Sequence, residues 1–481
     1  MKRIEKPLQL VDFKRGRISP NKVSAFSVPE NSVSEAINVD FDTRIGSIVP
    51  RKGAIELFGL TASTHGAGTF KNSSGSTDIA LFATDTKIKI WNGTTATDAA
   101  VTINSVNKVR FATLGNRIFF VNGIGMFSSA DGNIWNQDDC IATAFPTLIL
   151  RSKQHMVCAG DATYPDRIFF SSVINPTVNP FITWNTTTFA SATGGWIDIN
   201  PDDNSNIKAL QETSDTIIVF KEKTFYRVDT ISKSVSATEI FNVGTLSQES
   251  TTRCYGMVYF YTGKQIMRTD GGYPEQISRV AVQDYLDVIT DKTKVNMWSD
   301  YSNVYTSIGD ITLKGKTLTN VVLKFNVLDE SWTVYTYSRF MKDFVTYKDE
   351  TIGGATLSVS KVQTGFTDFG ASIAFDVKTQ HNFIQSINLK TITDKIAIIS
   401  RYAEGTSMYC ILNGLSSNEK RVDLQSNLSD FVSVTTPTNL EFRTIAFGWC
   451  GTTNDGLGDT EPELIGIQVP EMMDLGLVKF K

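Results

Sequence analysis

The feature that most constrains this chain is a period-two hairpin that returns at long, near-regular intervals. Residues 108–127, 215–229 and 256–272 alternate β-branched or aromatic residues with polar ones, and clusters of Gly, Asn, Asp or Lys separate the runs. Alternate side chains of a strand face opposite sides of a sheet, so each segment reads as strand, tight turn, strand. Aligned on Phe82, Phe120, Phe170, Phe220, Phe260 and Tyr305, the hairpins stand 38, 50, 50, 40 and 45 residues apart. Four-stranded propeller blades repeat at about 40–50 residues, a period that sandwich hairpins do not keep. The spacing predicts an all-β chain with a β-propeller of six or seven blades over residues 55–370. A seventh unit at 351–370 completes the ring, with residues 48–59 available to lend a closing strand. The turns at 90–93, 129–135 and 268–275 fall where outer strands would begin. Helical spacing is confined to residues 280–290, opened by Ser278 and carrying Val282, Leu286 and Ile289.

Two flanking segments differ from the repeat. Residues 371–481 read as further strands, at 407–415, 430–436, 440–450 and 463–470, and predict a C-terminal β-sandwich-like domain. Residues 1–54 read as an N-terminal arm and extended segment, in which residues 1–30 carry seven basic and three acidic side chains. The whole chain has 46 basic and 50 acidic side chains, so no global basic field holds it on duplex DNA. The arm mixes charge with Leu8, Leu10, Val11 and Phe13, a pattern that suits docking to protein better than phosphate binding alone. Phe13, Arg15 and Arg17 are therefore expected at a subunit contact, with a solvated tail or a nucleic-acid contact as alternatives. On that reading, deleting residues 1–20 leaves the monomer folded and weakens assembly.

The catalytic inventory is thin. His65, His155 and His381 are the only histidines, and none stands at a metal-ligand spacing, so structural or surface roles are expected for them. Five dispersed cysteines form no CxxC pair and fit reduced thiols in a cytosolic fold. No nucleophile elbow, Walker loop or dinucleotide fingerprint occurs. Ser129–Trp135 is one residue short of the Asp-box of sialidase-like propellers, and is read as a structural turn whose Trp packs between blades. The acidic clusters at Asp202 and Asp203, and at Asp455, Asp459 and Glu461, could offer oxygen ligands to a hard cation but lack the full loop spacing. Solvated turns are expected at both. No catalytic residue, cofactor or metal is assigned. The N-terminus shows no signal-peptide core, and no apolar run is long enough to span a bilayer.

Several strings in order resemble the tail nozzle, hub and packaged-DNA stabilisation proteins of tailed bacteriophages. Residues 30–53 resemble their opening, with Asn38 before an extended run and Arg51 and Gly53 ending it. Residues 159–185 place Asp166 and Arg167, two aromatics and a pair of serines before a Pro-rich loop that ends in Trp184. Residues 207–229 and then 271–278 continue the pattern, so the resemblance covers roughly residues 30–380. It implies a structural virion protein assembled in the host cytoplasm as a homo-oligomeric ring, commonly a hexamer, below the portal and adaptor. Such a ring neighbours other tail proteins, retains packaged DNA and forms part of its exit channel. It brings no enzymatic residues. Ring contacts are expected on the arm and on the loop holding Asn179, Pro180, Phe181 and Trp184. The competing expectation is a carbohydrate-binding or cell-surface propeller, with aromatic side chains clustered around one funnel, and after it a propeller glycoside hydrolase.

Overall fold

The computed structural model describes the chain apart from residues 1–2, 6–7, 20–21, 24–28, 30, 42–45, 139–143, 174–183, 185–193, 204, 215, 230–234, 239–242, 381–388, 393–395, 402–405, 413–418, 424–431, 435–439, 443, 454–461, 470–471 and 477–481. Seven antiparallel sheets follow one another as blades. Their innermost strands are Thr64–Lys71, Arg110–Leu114, Leu148–Ser152, Ala209–Glu212, Thr251–Cys254, Asn296–Ser299 and Lys342–Tyr347. Each packs beside the next, and Lys342–Tyr347 lies beside Thr64–Lys71, which closes the ring. The protein is an all-β propeller joined to a C-terminal sandwich. Its seventh blade takes Lys342–Tyr347, Glu350–Ala355 and Ser358–Val362 from late in the chain and Ala54–Gly59 from early in it. The closing strand thus comes from the expected segment, paired antiparallel as Lys361 with Ile55 and Val362 with Ala54.

Hydrophobic clusters lie between neighbouring blades. Phe70, Leu81, Ile118 and Phe120 fill the gap between blades 1 and 2, and Ile168, Phe170, Ile217 and Val219 that between blades 3 and 4. In blades 1, 2, 4, 5 and 6 the aromatics that align the repeat stand in the second strand. Phe170 instead stands in the third strand of blade 3, whose second strand is His155–Ala159. The expected register was therefore one strand late there, because this blade keeps its paired aromatics, Phe169 and Phe170, on the strand before a long connection. The helical segment shortens to Gln283–Leu286, with Val282, Leu286 and Ile289 buried as their spacing requires.

The described residues among the first 50 do not form a free arm. Leu8–Val11 pairs antiparallel with Glu463–Val469, and Arg3–Glu5 with Met472–Gly476. Val33–Ile37 inserts between Trp332–Thr336, the outer strand of blade 6, and Ala374–Thr379. One nine-stranded sheet consequently runs from the propeller axis into the C-terminal unit. There it packs on the sheet of Leu8–Val11, Glu463–Val469, Ile396–Arg401 and Val432–Val434 over a core that includes Leu10, Phe13, Trp449 and Ile467. Phe13 and Arg17 are internal, so the expected subunit contact through them is corrected. Burying Phe13 removes its ring from water, and Arg17 forms a two-pronged pair with Asp284, its Nη1 at 3.1 Å from Oδ1 and its Nη2 at 2.8 Å from Oδ2. Arg15 stays exposed. Removing residues 1–20 would take away two sheet strands and this buried pair, so the truncation is not neutral for the monomer.

The joint between propeller and sandwich is built on Arg51, which is fully buried. All five of its N–H groups are accepted: by Asn38 Oδ1 at 2.9 Å, the Lys52 carbonyl at 2.8 Å, the Thr336 carbonyl at 2.6 Å, and both oxygens of Asp368. Its guanidinium also lies 4.1 Å from the Tyr337 ring centroid. Asn38 holds a left-handed backbone, φ 56°, which Asn tolerates better than most residues. From there its side chain accepts the Thr336 N–H at 2.7 Å and donates to the Ala374 carbonyl at 2.7 Å, bridging the two strands that flank Val33–Ile37. At Gly53 a Cβ would stand 1.9 Å from the Thr367 carbonyl oxygen, so only glycine permits the approach. Asp368→Ala strands the guanidinium in a dry site and is expected to lower stability by about 3–5 kcal/mol, read as the unfolding midpoint in denaturant.

Candidate functional site

The innermost strands all begin on one face, and the segments leading into them form the mouth of the central channel. Two chambers open there. One, of about 480 Å³, is lined by residues that include Lys108, Glu249, Asn296, Asp310 and Lys342. The other, of about 340 Å³, is lined by residues that include Arg110, Thr147, Asp161 and Lys208. The partition between them is an ion pair. Arg110, on blade 2, places Nη2 2.6 Å and Nε 3.0 Å from Glu249 Oε1, on the segment entering blade 5, and donates Nη1 to the Thr147 carbonyl of blade 3 at 2.6 Å. Blades 2 and 5 lie across the ring from each other, so the pair spans the channel.

Glu249 is held there by its own short element. Gln248–Ser250 is a single 3₁₀ turn with reciprocal capping between Ser247 and Ser250. The Gln248 amide imitates a strand by accepting from Leu210 N at 2.8 Å and donating to Leu210 O at 3.1 Å. Further down, Ser152 donates to Glu212 at 2.9 Å and Gln211 to Thr251 at 2.8 Å, joining adjacent blades by side chains. At the mouth, Asp343 accepts from the Thr64 hydroxyl at 2.8 Å and from Lys108 Nζ at 3.2 Å. Burial alone would push this carboxyl up, yet the ammonium groups of Lys108 and Lys342 hold it below the ordinary carboxylate value. Burial pushes Lys342 the other way, below the ordinary lysine value.

Chemically the mouth is a charged clasp built on the Arg110–Glu249 and Lys108–Asp343 pairs, and among the described residues it brings no three metal-binding side chains together. Arg110 and Glu249 were not foreseen: 139 residues separate them, and the only signal was that each sits at the entry to an innermost strand.

The expected contact residues are dispersed. Arg15 is exposed, whereas Phe13 and Arg17 are internal. Asn179, Pro180 and Phe181 lie outside the described residues, as do Asp455, Asp459, Glu461 and His381. Trp184 forms a bridge to Ser171 and packs, half-buried, on the cluster between blades 2 and 3. His65 and His155 are buried with ring nitrogens on backbone carbonyls, at 2.7 Å from Asn107 O and 2.7 Å from Ser171 O. Asp203 departs from the solvated turn expected of it. It accepts from the buried Lys221 Nζ at 2.6 Å, which also reaches Asp166 at 2.7 Å, and from the Tyr226 hydroxyl at 2.9 Å. A buried ammonium requires such partners, so this carboxylate serves the contact between blades 3 and 4.

The Asp-box-like segment is a structural turn. Asp131 Oδ1 accepts from Asn133 N at 2.8 Å and Ile134 N at 3.0 Å. Gly132 has φ +77°, and a Cβ there would stand 2.3 Å from Ile79 Cδ1. Trp135 donates to the Gly132 carbonyl at 2.9 Å and lies in the core between blades 1 and 2.

Two measurements check this reading of the mouth. In a double-mutant cycle, Arg110→Ala and Glu249→Ala are expected to couple by about 1–3 kcal/mol, since either change alone strands the other charge. Because the folded carboxyl of Asp343 titrates below its unfolded value, its stabilisation is present above the ordinary carboxylate range and fades as pH falls through the depressed value. The stability gap between the wild type and Asp343→Asn should therefore be constant near neutral pH and close below about pH 4.

No protein-family model matches the chain, and none of the curated proteins is similar to it in sequence. Among solved structures it is similar to BamB from Moraxella catarrhalis, at 10% identity and TM-score 0.41 over 66% of this chain and 97% of that one. It is also similar to a catalytically inactive virginiamycin B lyase from Staphylococcus aureus with quinupristin, at 12% identity and TM-score 0.45 over 64% and 98% of the two chains. A third is the Pan2 WD40 domain of Neurospora crassa, at 7% identity and TM-score 0.40 over 65% and 94%.

Proposed function

We propose that this chain is a structural virion protein of a tailed bacteriophage, a ring-forming nozzle, hub or stabilisation component below the portal and adaptor. In this reading it helps retain packaged DNA and borders its exit path. The observation that carries the proposal is the clasped channel: Arg110 and Glu249 bridge the mouth, and Lys108 is committed to Asp343 beside them. A propeller built this way is a stiff block whose surfaces, not its axis, are free for work. DNA would pass between subunits of the ring and not through any one propeller. The resemblance to the phage proteins supports the same view, because Asn38, Arg51 and Gly53, which stand in it, all serve the joint between propeller and sandwich.

A glycan-binding propeller would instead stack sugar rings on aromatic side chains at one funnel. Phe340 is the one aromatic among the residues lining the two chambers, and no Trp or Tyr is among them. The test is a mass-spectrometric inventory of purified particles of a tailed phage that encodes the chain, together with particles assembled without it. The expected result is several copies per virion and DNA loss from the depleted particles. Absence from the virion would sink the reading.

A further inference from the structure

On the face opposite the channel mouth, blades 5 and 6 hold four large apolar side chains in water. Tyr255 and Tyr301 occupy the turns after the innermost strands, and Tyr273 and Leu328 the turns before the outer strands, with relative exposures of 61, 65, 84 and 66%. Contacts between the blades draw these turns together across the blade boundary: Arg268 Nη1 on blade 5 pairs with Glu330 on blade 6 at 2.8 Å near the outer turns, and the Cys254 thiol lies 3.6 Å from the Asp300 carbonyl at the inner ones. Scattered exposed apolar residues are ordinary, but three tyrosines and a leucine on adjacent turns have the composition of an interface centre. The rim is acidic, with Asp270, Glu275, Asp329 and Glu330 exposed around Arg268.

The mouth face of the same two blades carries the opposite sign. Lys264, Arg279, Lys292, Lys294, Lys314 and Lys316 are exposed there, against Asp287, Asp291 and Asp310, and Lys22 pairs with Asp287 at 2.8 Å. Val280, 47% exposed, stands among them. The two faces are thus complementary in charge. Each offers apolar area to the other, since lysine stems and Val280 can cover tyrosine rings while ammonium and guanidinium groups meet their π faces.

We propose that the tyrosine patch of one copy docks on the lysine-rich mouth face of blades 5 and 6 in a second copy, head to tail. This rests on the ring reading above and names the surfaces that would build it. Two different patches make a heterologous contact, which closes into a ring when the rotation per subunit divides a full turn. Because the patches lie on opposite faces of the same blades, the propeller axes run around the ring, and the clasped channels lie across the DNA path.

The test is sedimentation velocity on the full chain at low and high salt, with two surface variants. Tyr273→Ser with Asp329→Lys spoils the far face, and Arg279→Glu with Lys316→Glu spoils the mouth face. The wild type should assemble, less so at high salt, and each variant alone should sediment as a monomer. Mixed one to one, the variants should form a species of twice the monomer mass, because one intact face of each remains. A monomeric wild type at high micromolar concentration, variants that keep the wild-type mass, or a mixture that stays monomeric would each overturn the proposal. Glycan binding lost in Tyr273→Ser at unchanged mass would assign the tyrosines to a sugar instead. These outcomes are separate from the virion inventory: particles containing a chain that is monomeric in solution would remove this interface and leave the structural role standing.

Discussion

Arg51 stands where three bodies meet: the outer edge of blade 6, the closing blade 7 and the sandwich. A guanidinium taken out of water is costly unless its donors find acceptors, and here all five do, with acceptors from Asn38, Lys52, Thr336 and Asp368. The requirement works in both directions. The buried cation fixes the separation of four segments distant in sequence, and their placement keeps the cation dry. Lys324 repeats the device nearby by donating to Asp40 at 2.6 Å, and Lys221 does so between blades 3 and 4. Oily surfaces hold the blades together; buried cations set where each segment must lie.

The sequence made the blades legible because a half-buried strand cannot hide its alternation, and four strands per blade impose a long period that chance hairpins lack. The closing strand at Ala54–Gly59 and the Trp135 turn were readable for the same reason: both are local patterns with a local cause. Phe170 misled because the aromatic in blade 3 shifts from the second strand to the third, and period alone cannot tell neighbouring strands of one hairpin apart. The arm misled more seriously. Leu8, Leu10 and Phe13 have the same composition whether they meet another subunit or the strand Glu463–Val469, and nothing local records a partner more than 450 residues away.

The same limit explains the channel mouth. Arg110, Glu249, Lys108 and Asp343 look like ordinary surface charges in sequence, and become a clasp only when blades 2, 3, 5 and 7 converge on an axis. Asn38, Arg51 and Gly53 stand out in sequence only through resemblance, which assigns them no role by itself. Their geometry supplies that role as left-handed turn, buried cation and close backbone approach.

The late partner of Ala54–Gly59 has a consequence for synthesis. A ribosome adds roughly 5–20 residues per second, so this strand emerges tens of seconds before Ser358–Val362 can pair with it. Through that interval the nascent chain carries an open ring with an unpaired edge, and the sandwich lacks the last strands that its first ones await. Folding of this protein is therefore a finishing event: a chain cut short before Ser358 holds two unfilled seams at once, and one cut between Val362 and Glu463 still lacks the partner of Leu8–Val11.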